Sequence, residues 1–128
     1  MRALLVDADP SAAHAIARML QGGGILTDHT DSGRDALELT QRHDYDVILF
    51  DLAPAGGGDG CRMLRLMHES CNTPVLALSA VPPTATRAAA LASGATDYMA
   101  KPFGRAELMA HVKAVIRHAP AARKASAA

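Results

Sequence analysis

The chain has 128 residues, enough for one domain with a single hydrophobic core and too few for two domains of ordinary size. Hydrophobic residues make up 49% and charged residues 20%, a mixture typical of a folded globular protein. Thirteen lysines and arginines balance thirteen aspartates and glutamates, so the formal net charge is zero. Because nucleic acids and anionic membranes are bound through excess positive charge, we predict that this domain binds neither.

The sequence carries no sign of membrane insertion or secretion. Its apolar runs are a few residues long, whereas a membrane-spanning helix needs about 20. The first residues lead directly into a strand-like run, without the charged and apolar regions of a signal peptide. Cys61 and Cys71 are too few for a disulfide framework or a zinc site. We therefore expect a soluble cytoplasmic protein with two reduced cysteines.

Five strand-like apolar runs alternate with five segments of helical periodicity. The predicted strands are residues 3–6, 25–27, 47–50, 74–78 and 95–99. Three of them are nearly continuous in apolar residues, which is typical of central parallel strands covered on both faces. The second run passes quickly into polar residues, so we place this strand at an edge of the sheet.

The first three predicted helices have recognisable ends. The first begins at Pro10, where the missing amide hydrogen is tolerated, and stops at the glycines of residues 22–24. Ser32 followed by Asp35 is typical of the N-terminus of a second helix. Asp59 can accept hydrogen bonds from the first amides of a third helix.

The last two helices and the C-terminal tail follow. The fourth helix is predicted over residues 84–93, with Leu91 facing inward and Gly94 providing a left-handed end. The fifth helix has the clearest apolar face, formed by Leu108, Val112, Val115 and Ile116. Residues 1–118 are therefore predicted to form the folded domain. The small residues of 119–128 are predicted to be a flexible tail or the start of a linker.

Five consecutive β-α units predict an α/β fold with a doubly wound, five-stranded parallel sheet and helices on both faces. The expected flavodoxin-like strand order is 2-1-3-4-5. In this order the carboxyl ends of strands 1, 3, 4 and 5 surround one crevice, which is where such folds bind ligands.

Polar residues follow these four strands, namely Asp7, Asp51, Ser79 and Lys101. Carboxylate oxygens suit a hard cation such as Mg²⁺. A lysine and a hydroxyl can contact the oxygens of a phosphoryl group, and an aspartate can act as its nucleophile. Taken singly, these residues could instead be helix caps, turn formers or surface charges. Their shared position in the predicted topology favours one site.

Four segments resemble the receiver domain of two-component response regulators. They are residues 4–10, 44–52, 73–80 and 94–103, which read LLVDADP, DYDVILFDL, TPVLALSA and GATDYMAKPF. The likeness extends to about His118, and the last segment is most similar to receivers of OmpR/PhoB-type and cell-cycle transcriptional regulators. The resemblance implies a CheY-like fold and a phosphoacceptor signalling domain rather than an enzyme. It also implies a histidine kinase or a histidine phosphotransfer protein as the partner.

The resemblance implies a role for each site residue. Asp51 would accept the phosphoryl group. Asp7, Asp51 and the main-chain carbonyl of Ala53 would hold Mg²⁺. Lys101 would contact the phosphoryl oxygens, with the Lys101–Pro102 bond expected to be cis.

The resemblance also implies a switch and an output surface. Ser79 would move toward the phosphoryl group and assist the reaction, and Tyr98 would turn inward as the switch aromatic. In related regulators the signal appears on the face formed by the fourth helix, fifth strand and fifth helix, where two receivers pair. The corresponding residues here are Arg87, Asp97, Glu107 and His111. Since the family's arginine is replaced by His111, we expect at most a weak homodimer.

Two departures from the family pattern leave the function open. Ala8 replaces a carboxylate that normally binds the metal, so we expect a weakened Mg²⁺ site, with a water-mediated contact from Asp9 as a possible substitute. The loop after Asp51 contains the glycines of residues 56–58, which predicts a mobile, less ordered loop. One interpretation is slower phosphorylation of Asp51. The alternative is a degenerate receiver that works as a phosphorylation-independent binding module. A flavin carrier on the same topology is disfavoured because no phosphate-binding first loop is present.

Overall fold

A computed structural model describes residues 1–52, 60–80 and 83–117, with the side chains of residues 83–85 excluded. Within these ranges five strands alternate with five helices. The elements are β1 (Arg2–Val6), α1 (Pro10–Gly22), β2 (Leu26–Thr30), α2 (Gly33–Arg42), β3 (Val47–Asp51), α3 (Gly60–Ser70), β4 (Val75–Ser79), α4 (Pro83–Ala92), β5 (Asp97–Ala100) and α5 (Arg105–Arg117).

The strands form one parallel sheet in the order β2-β1-β3-β4-β5, which confirms the predicted fold class. The hydrogen-bonded neighbours of β1 are β2 on one side and β3 on the other. β4 then joins β3 to β5. The carboxyl ends of β1, β3, β4 and β5 consequently lie together at one edge of the sheet.

Each face of the sheet has its own hydrophobic core because side chains of a strand point alternately to opposite faces. On the first face α1 and α5 cover Leu5, Leu49 and Leu76. On the second face α2, α3 and α4 cover Ile48 and Phe50. The central strands are buried on both sides, which explains their nearly continuous apolar sequences.

The helix ends follow the sequence signals closely. Ser32 precedes α2, and its side-chain oxygen accepts a 3.1 Å hydrogen bond from the amide of Asp35. Asp9 performs the same task for α1 by accepting a 3.0 Å bond from the amide of Ser11. Gly94 has a φ of 112°, a backbone conformation that residues with side chains rarely adopt.

The structure corrects two sequence predictions. Leu91 does not face inward: it is 40% exposed, and Ala90 takes the buried position of α4. The second strand is longer than predicted, since it begins at Leu26 and continues through Asp28 and His29 to Thr30. These polar residues can pair with β1 because an edge strand has its side chains only partly covered.

Some predictions fall on other parts of the chain. Asp59 as a helix cap, the loop containing residues 56–58 and the tail of residues 119–128 lie outside the described residues. Cys61 and Cys71 are both free and partly buried. In the described ranges, no helix combines the length and the apolar character that a membrane crossing requires.

A polar network anchors the edge strand β2 at the amino end of the sheet. The buried hydroxyl of Tyr45 donates a 2.7 Å hydrogen bond to Asp28 Oδ2, and Arg2 Nη2 donates a 2.8 Å bond to the same oxygen. Burial, the hydrogen bond to Asp28 and the negative charge of Asp28 raise the pKa of Tyr45 to about 12. Burial alone would raise the pKa of Asp28, but the bonds from Tyr45 and Arg2 outweigh it and lower that pKa.

The Tyr45→Phe substitution should lower the free energy of unfolding by about 1 kcal/mol at pH 7, because the carboxylate of Asp28 loses a hydrogen bond. The pKa of Asp28 is lowered in the folded state. The ionised carboxylate therefore contributes its full stabilisation of the fold at pH values above 3.8, the ordinary pKa of an aspartate. This stabilisation is lost as the pH falls through the lowered pKa. Urea unfolding should therefore show the wild type and the variant converging in acid. Tyr98→Phe is the matched control, with little or no loss expected; equal losses for both variants would contradict the role of the network.

Candidate functional site

Charged side chains from three segments meet where β1, β3 and the end of β5 come together. The ammonium group of Lys101 lies 2.5 Å from Asp51 Oδ2 and 3.2 Å from Asp7 Oδ2. Asp7 and Asp51 are 2% and 9% exposed, and Ser79 is fully buried nearby at the end of β4. The structure thus brings Asp7, Asp51 and Lys101 into direct contact, as the topology predicts.

Backbone pairing fixes the position of each of these residues. The amide of Asp7 donates to Thr30 of β2 at 3.1 Å, and the amide of Leu52 donates to Leu78 of β4 at 2.8 Å. The amide of Lys101 donates to the carbonyl of Ser79 at 2.8 Å. The Lys101–Pro102 bond is cis, as the resemblance implies.

Electrostatics within the site favour a charged lysine between the two acids. Burial raises the pKa of Asp7, and the negative charge of Asp51 raises it further, against opposing contributions from the amide of Asp9 and from Lys101. Burial alone would lower the pKa of Lys101. The hydrogen bond and attraction to Asp51, together with those to Asp7, outweigh this effect and raise the pKa.

The segment after β1 differs from the rest of the site. Ala8 is half-buried and carries no side-chain oxygen. The exposed Asp9 uses Oδ1 to accept the 3.0 Å hydrogen bond from the amide of Ser11, and its own amide donates to Asp7 Oδ1 at 2.9 Å. Asp9 therefore stabilises the N-terminus of α1 as its N-cap residue.

The proposed switch residues lie on neighbouring strands. Ser79 pairs in register with Ala100, and Tyr98 pairs with Ala77. The ring of Tyr98 is 3% exposed and packs in the core on the side of α2, α3 and α4. Its buried hydroxyl has no hydrogen-bond partner among the residues that the structure describes.

The residues expected at a dimer face lie away from the carboxylates, on α4, β5 and α5. Arg87 and Glu107 are exposed, whereas Asp97 and His111 are half-buried. Asp97 Oδ1 accepts a 2.7 Å hydrogen bond from the amide of Tyr98, and the His111 ring contacts the carbonyl of Glu107 at 3.0 Å. Within the described part of the chain, none of the four forms a salt bridge.

Sequence reasoning missed one residue that contacts this site. His29 of β2 places Nε2 2.9 Å from the backbone carbonyl oxygen of Asp7. No local sequence signal predicts this contact, because a polar residue in an edge strand is expected to be exposed to solvent. The register of β2 against β1 is needed to find it.

The donor set partly fits a divalent cation. The carboxylates of Asp7 and Asp51 converge on a single cation, the ammonium group of Lys101, so they could converge on a hard metal ion in the same way. Ala8 supplies no side-chain oxygen, and Ala53 lies outside the described residues. Among the described residues, the site therefore offers the carboxylates of Asp7 and Asp51 to Mg²⁺.

The family model described as "Response regulator receiver domain" matches residues 3–113. The chain belongs to the response regulator receiver family. It is similar to the cell cycle transcriptional regulator CtrA of Caulobacter vibrioides, with 39% identity over 119 residues, which is 91% of this chain and 51% of the relative. The cell cycle response regulator CtrA of Brucella ovis is 37% identical, with 91% and 50% covered. The receiver chain thus spans about half the length of these curated relatives.

Solved structures agree with this assignment. The receiver domain of the Francisella response regulator 1452 has a TM-score of 0.81 and 33% identity, with 91% of this chain and 96% of that chain covered. The receiver domain of a sensor histidine kinase from Pseudomonas aeruginosa has a TM-score of 0.77 and 30% identity, with 91% and 97% covered. That structure is described with a magnesium ion coordinated in its active-site cleft.

Removing the shared ammonium group should destabilise the receiver in a pH-dependent way. We expect Lys101→Met to lower the free energy of unfolding by about 3 kcal/mol at pH 7, since two buried carboxylates lose their cation. Asp7 has a raised pKa in the folded state, so its ionisation costs stability as the pH rises above the ordinary value of 3.8. In urea titrations, the difference in the free energy of unfolding between the wild type and the variant should therefore become smaller toward pH 4. Lys113→Met on the exposed side of α5 is the control, and a pH-independent loss would contradict the shared-cation role.

Proposed function

We propose that this receiver accepts a phosphoryl group on Asp51 from a phosphohistidine of a histidine kinase or a histidine phosphotransfer protein. The observation that carries this function is the contact of one ammonium group, Lys101, with the buried carboxylates of Asp51 and Asp7. Membership of the receiver family supports the same assignment. The domain would act as a phosphoacceptor in the cytoplasm, without a substrate pool of its own.

The transfer uses groups that the site already holds. A carboxylate oxygen of Asp51 attacks the phosphorus atom, a P–O bond forms, and the P–N bond to the donor imidazole breaks. The imidazole of the donor leaves with the electron pair of that bond and takes up a proton. The positive charge of Lys101 compensates the charge on the phosphoryl oxygens in a site largely shielded from water.

Asp7, Asp51 and the main-chain carbonyl of Ala53 are the proposed ligands of Mg²⁺. When bound, the ion would neutralise phosphoryl charge and orient the group for transfer. The loss of a carboxylate at Ala8 should weaken the site by about 1–3 kcal/mol, on the scale of a hydrogen bond to a charged group. Because Asp9 Oδ1 is engaged at the start of α1, Asp9 would contribute through its other oxygen and a water molecule.

The proposed output runs through Ser79 and Tyr98 to the surface of α4, β5 and α5. Ser79 is buried at the end of β4, directly after Leu78, which pairs with Asp51. The buried Tyr98 hydroxyl lacks a partner among the described residues, which favours a movable side chain. A likeness to the receiver of Klebsiella pneumoniae RstA, described as BeF3-activated, supports a receiver with an activated state, at 25% identity and a TM-score of 0.84. The match to residues 3–113 supports the proposed receiver of residues 1–118. We also propose that residues 119–128 form a tail or the start of a linker.

A degenerate receiver is the alternative function. The ammonium group of Lys101 contacts both carboxylates, and Ala8 provides no side-chain ligand for a metal ion. Such a domain would bind a protein partner independently of phosphorylation, and its state would be set by that partner.

Intact-mass spectrometry after treatment with acetyl phosphate distinguishes the two functions. We expect the wild type to gain the mass of one phosphoryl group in the presence of Mg²⁺ and Asp51→Asn to gain none. Restoring the missing ligand with Ala8→Asp should increase the labelling rate about tenfold at low Mg²⁺, because about 1.4 kcal/mol of binding corresponds to a factor of ten.

Ala8→Asn provides a matched control, since it adds a side chain of the same shape without a negative charge. A phosphoryl adduct on Ala8→Asp but none on the wild type would favour the degenerate module. An adduct on Asp51→Asn would place the acceptor elsewhere and reject the proposed chemistry.

We also propose a weak homodimer through α4, β5 and α5, in which Arg87 of one protomer pairs with Glu107 of the other. Because a two-fold axis creates the pair twice, Arg87→Glu should raise the dimer dissociation constant about tenfold. The double charge swap Arg87→Glu with Glu107→Arg should restore dimerisation. Sedimentation equilibrium measures the molecular mass, with Arg65→Glu on α3 as the control. An identical mass for all four proteins would exclude this interface.

A further inference from the structure

The edge strand β2 reaches the acceptor site through one side chain. His29 Nε2 lies 2.9 Å from the backbone carbonyl oxygen of Asp7. A carbonyl oxygen only accepts hydrogen bonds, so the hydrogen of this contact must be on Nε2. The contact therefore selects the form of His29 that donates from Nε2.

β2 forms hydrogen bonds with both the backbone amide and the backbone carbonyl of Asp7. The amide of Asp7 donates to the carbonyl oxygen of Thr30 at 3.1 Å, and its carbonyl accepts from the adjacent His29. The carboxylate is held from the other direction, by the amide of Asp9 at 2.9 Å and by Lys101 at 3.2 Å. Four hydrogen bonds thus fix where Asp7 points.

Ala8 makes this restraint more important. With no carboxylate at Ala8 and Asp9 bonded to the start of α1, Asp7 is the acid after β1 whose side chain contacts Lys101. An error in the orientation of Asp7 cannot be compensated by a carboxylate at position 8. The hydrogen bond from His29 acts on the peptide unit between Asp7 and Ala8, where a rotation would move the carboxylate.

We propose that His29 is a positioning residue for Asp7, which it holds in the orientation required for a divalent cation and for phosphoryl transfer. This role depends on the proposed function of the site. Hydrogen bonds to ligand-bearing residues commonly determine metal affinity, because they restrict the ligand before the metal binds.

Three substitutions at one position test the geometry of the contact. The side-chain amide nitrogen of glutamine is as many bonds from Cβ as Nε2 of histidine is. The amide nitrogen of asparagine is one bond closer to Cβ, at the distance of histidine Nδ1. We therefore expect His29→Gln to retain Mg²⁺ affinity. His29→Asn and His29→Leu should raise the Mg²⁺ dissociation constant about threefold to tenfold, the effect of one hydrogen bond.

Two readouts separate positioning from general stability. In the metal-free protein, the carbonyl ¹³C resonance of Asp7 should move to lower frequency in the Asn and Leu variants and remain near the wild-type value in the Gln variant. MgCl₂ titrations followed by amide resonances of β3, with acetyl phosphate labelling in parallel, give affinity and rate. Thr27→Leu, two residues earlier on the same side of β2, should leave the Asp7 carbonyl resonance, the Mg²⁺ affinity and the labelling rate unchanged.

The outcomes are distinct. Wild-type affinity in His29→Leu, or an equal loss in all three His29 variants and in Thr27→Leu, overturns the positioning role while leaving the proposed function intact. A wild type that neither binds Mg²⁺ nor takes up a phosphoryl group overturns the proposed function, and the role of His29 with it.

Discussion

One ammonium group shared by two buried carboxylates is the constraint around which this receiver is organised. Transferring unpaired carboxylates into a protein interior is strongly unfavourable, so Asp7 and Asp51 can be buried together only if a cation reaches both. Lys101 does so from the segment after β5. The shared ion pair therefore links the ends of β1 and β3 to the last strand of the sheet, and it requires the strand order that brings these ends together.

The hydrophobic core and the register of β2 restrict where the charged side chains of this domain can lie. Apolar side chains fill both faces of the central strands, so polar groups are confined to the strand ends. At the opposite end of β1, Arg2 and Tyr45 bind Asp28 and fix the register of β2. The same strand then brings His29 to the carbonyl of Asp7. A single register thus determines contacts at both ends of the strand pair.

Local sequence patterns predicted the features that depend on local chemistry. Apolar runs located the strands, Ser32 located the start of α2, and the predicted strand order placed Asp51 and Lys101 at one edge of the sheet. The errors arise where tertiary structure decides. Leu91 and Ala90 are adjacent on α4, and only the packing of this short, alanine-rich helix determines which is buried. His29 could not be assigned because its contact depends on the register with β1 and has no local signature.

The two outermost strands also affect how the protein behaves at high concentration. An open strand edge exposes unpaired backbone groups that can add a strand from another molecule and begin aggregation. Here β5 is only four residues long, and β2 presents Asp28 and His29 beside the 71% exposed Leu26. Pairing of sheet edges between molecules is therefore disfavoured, because β5 is short and β2 presents polar side chains.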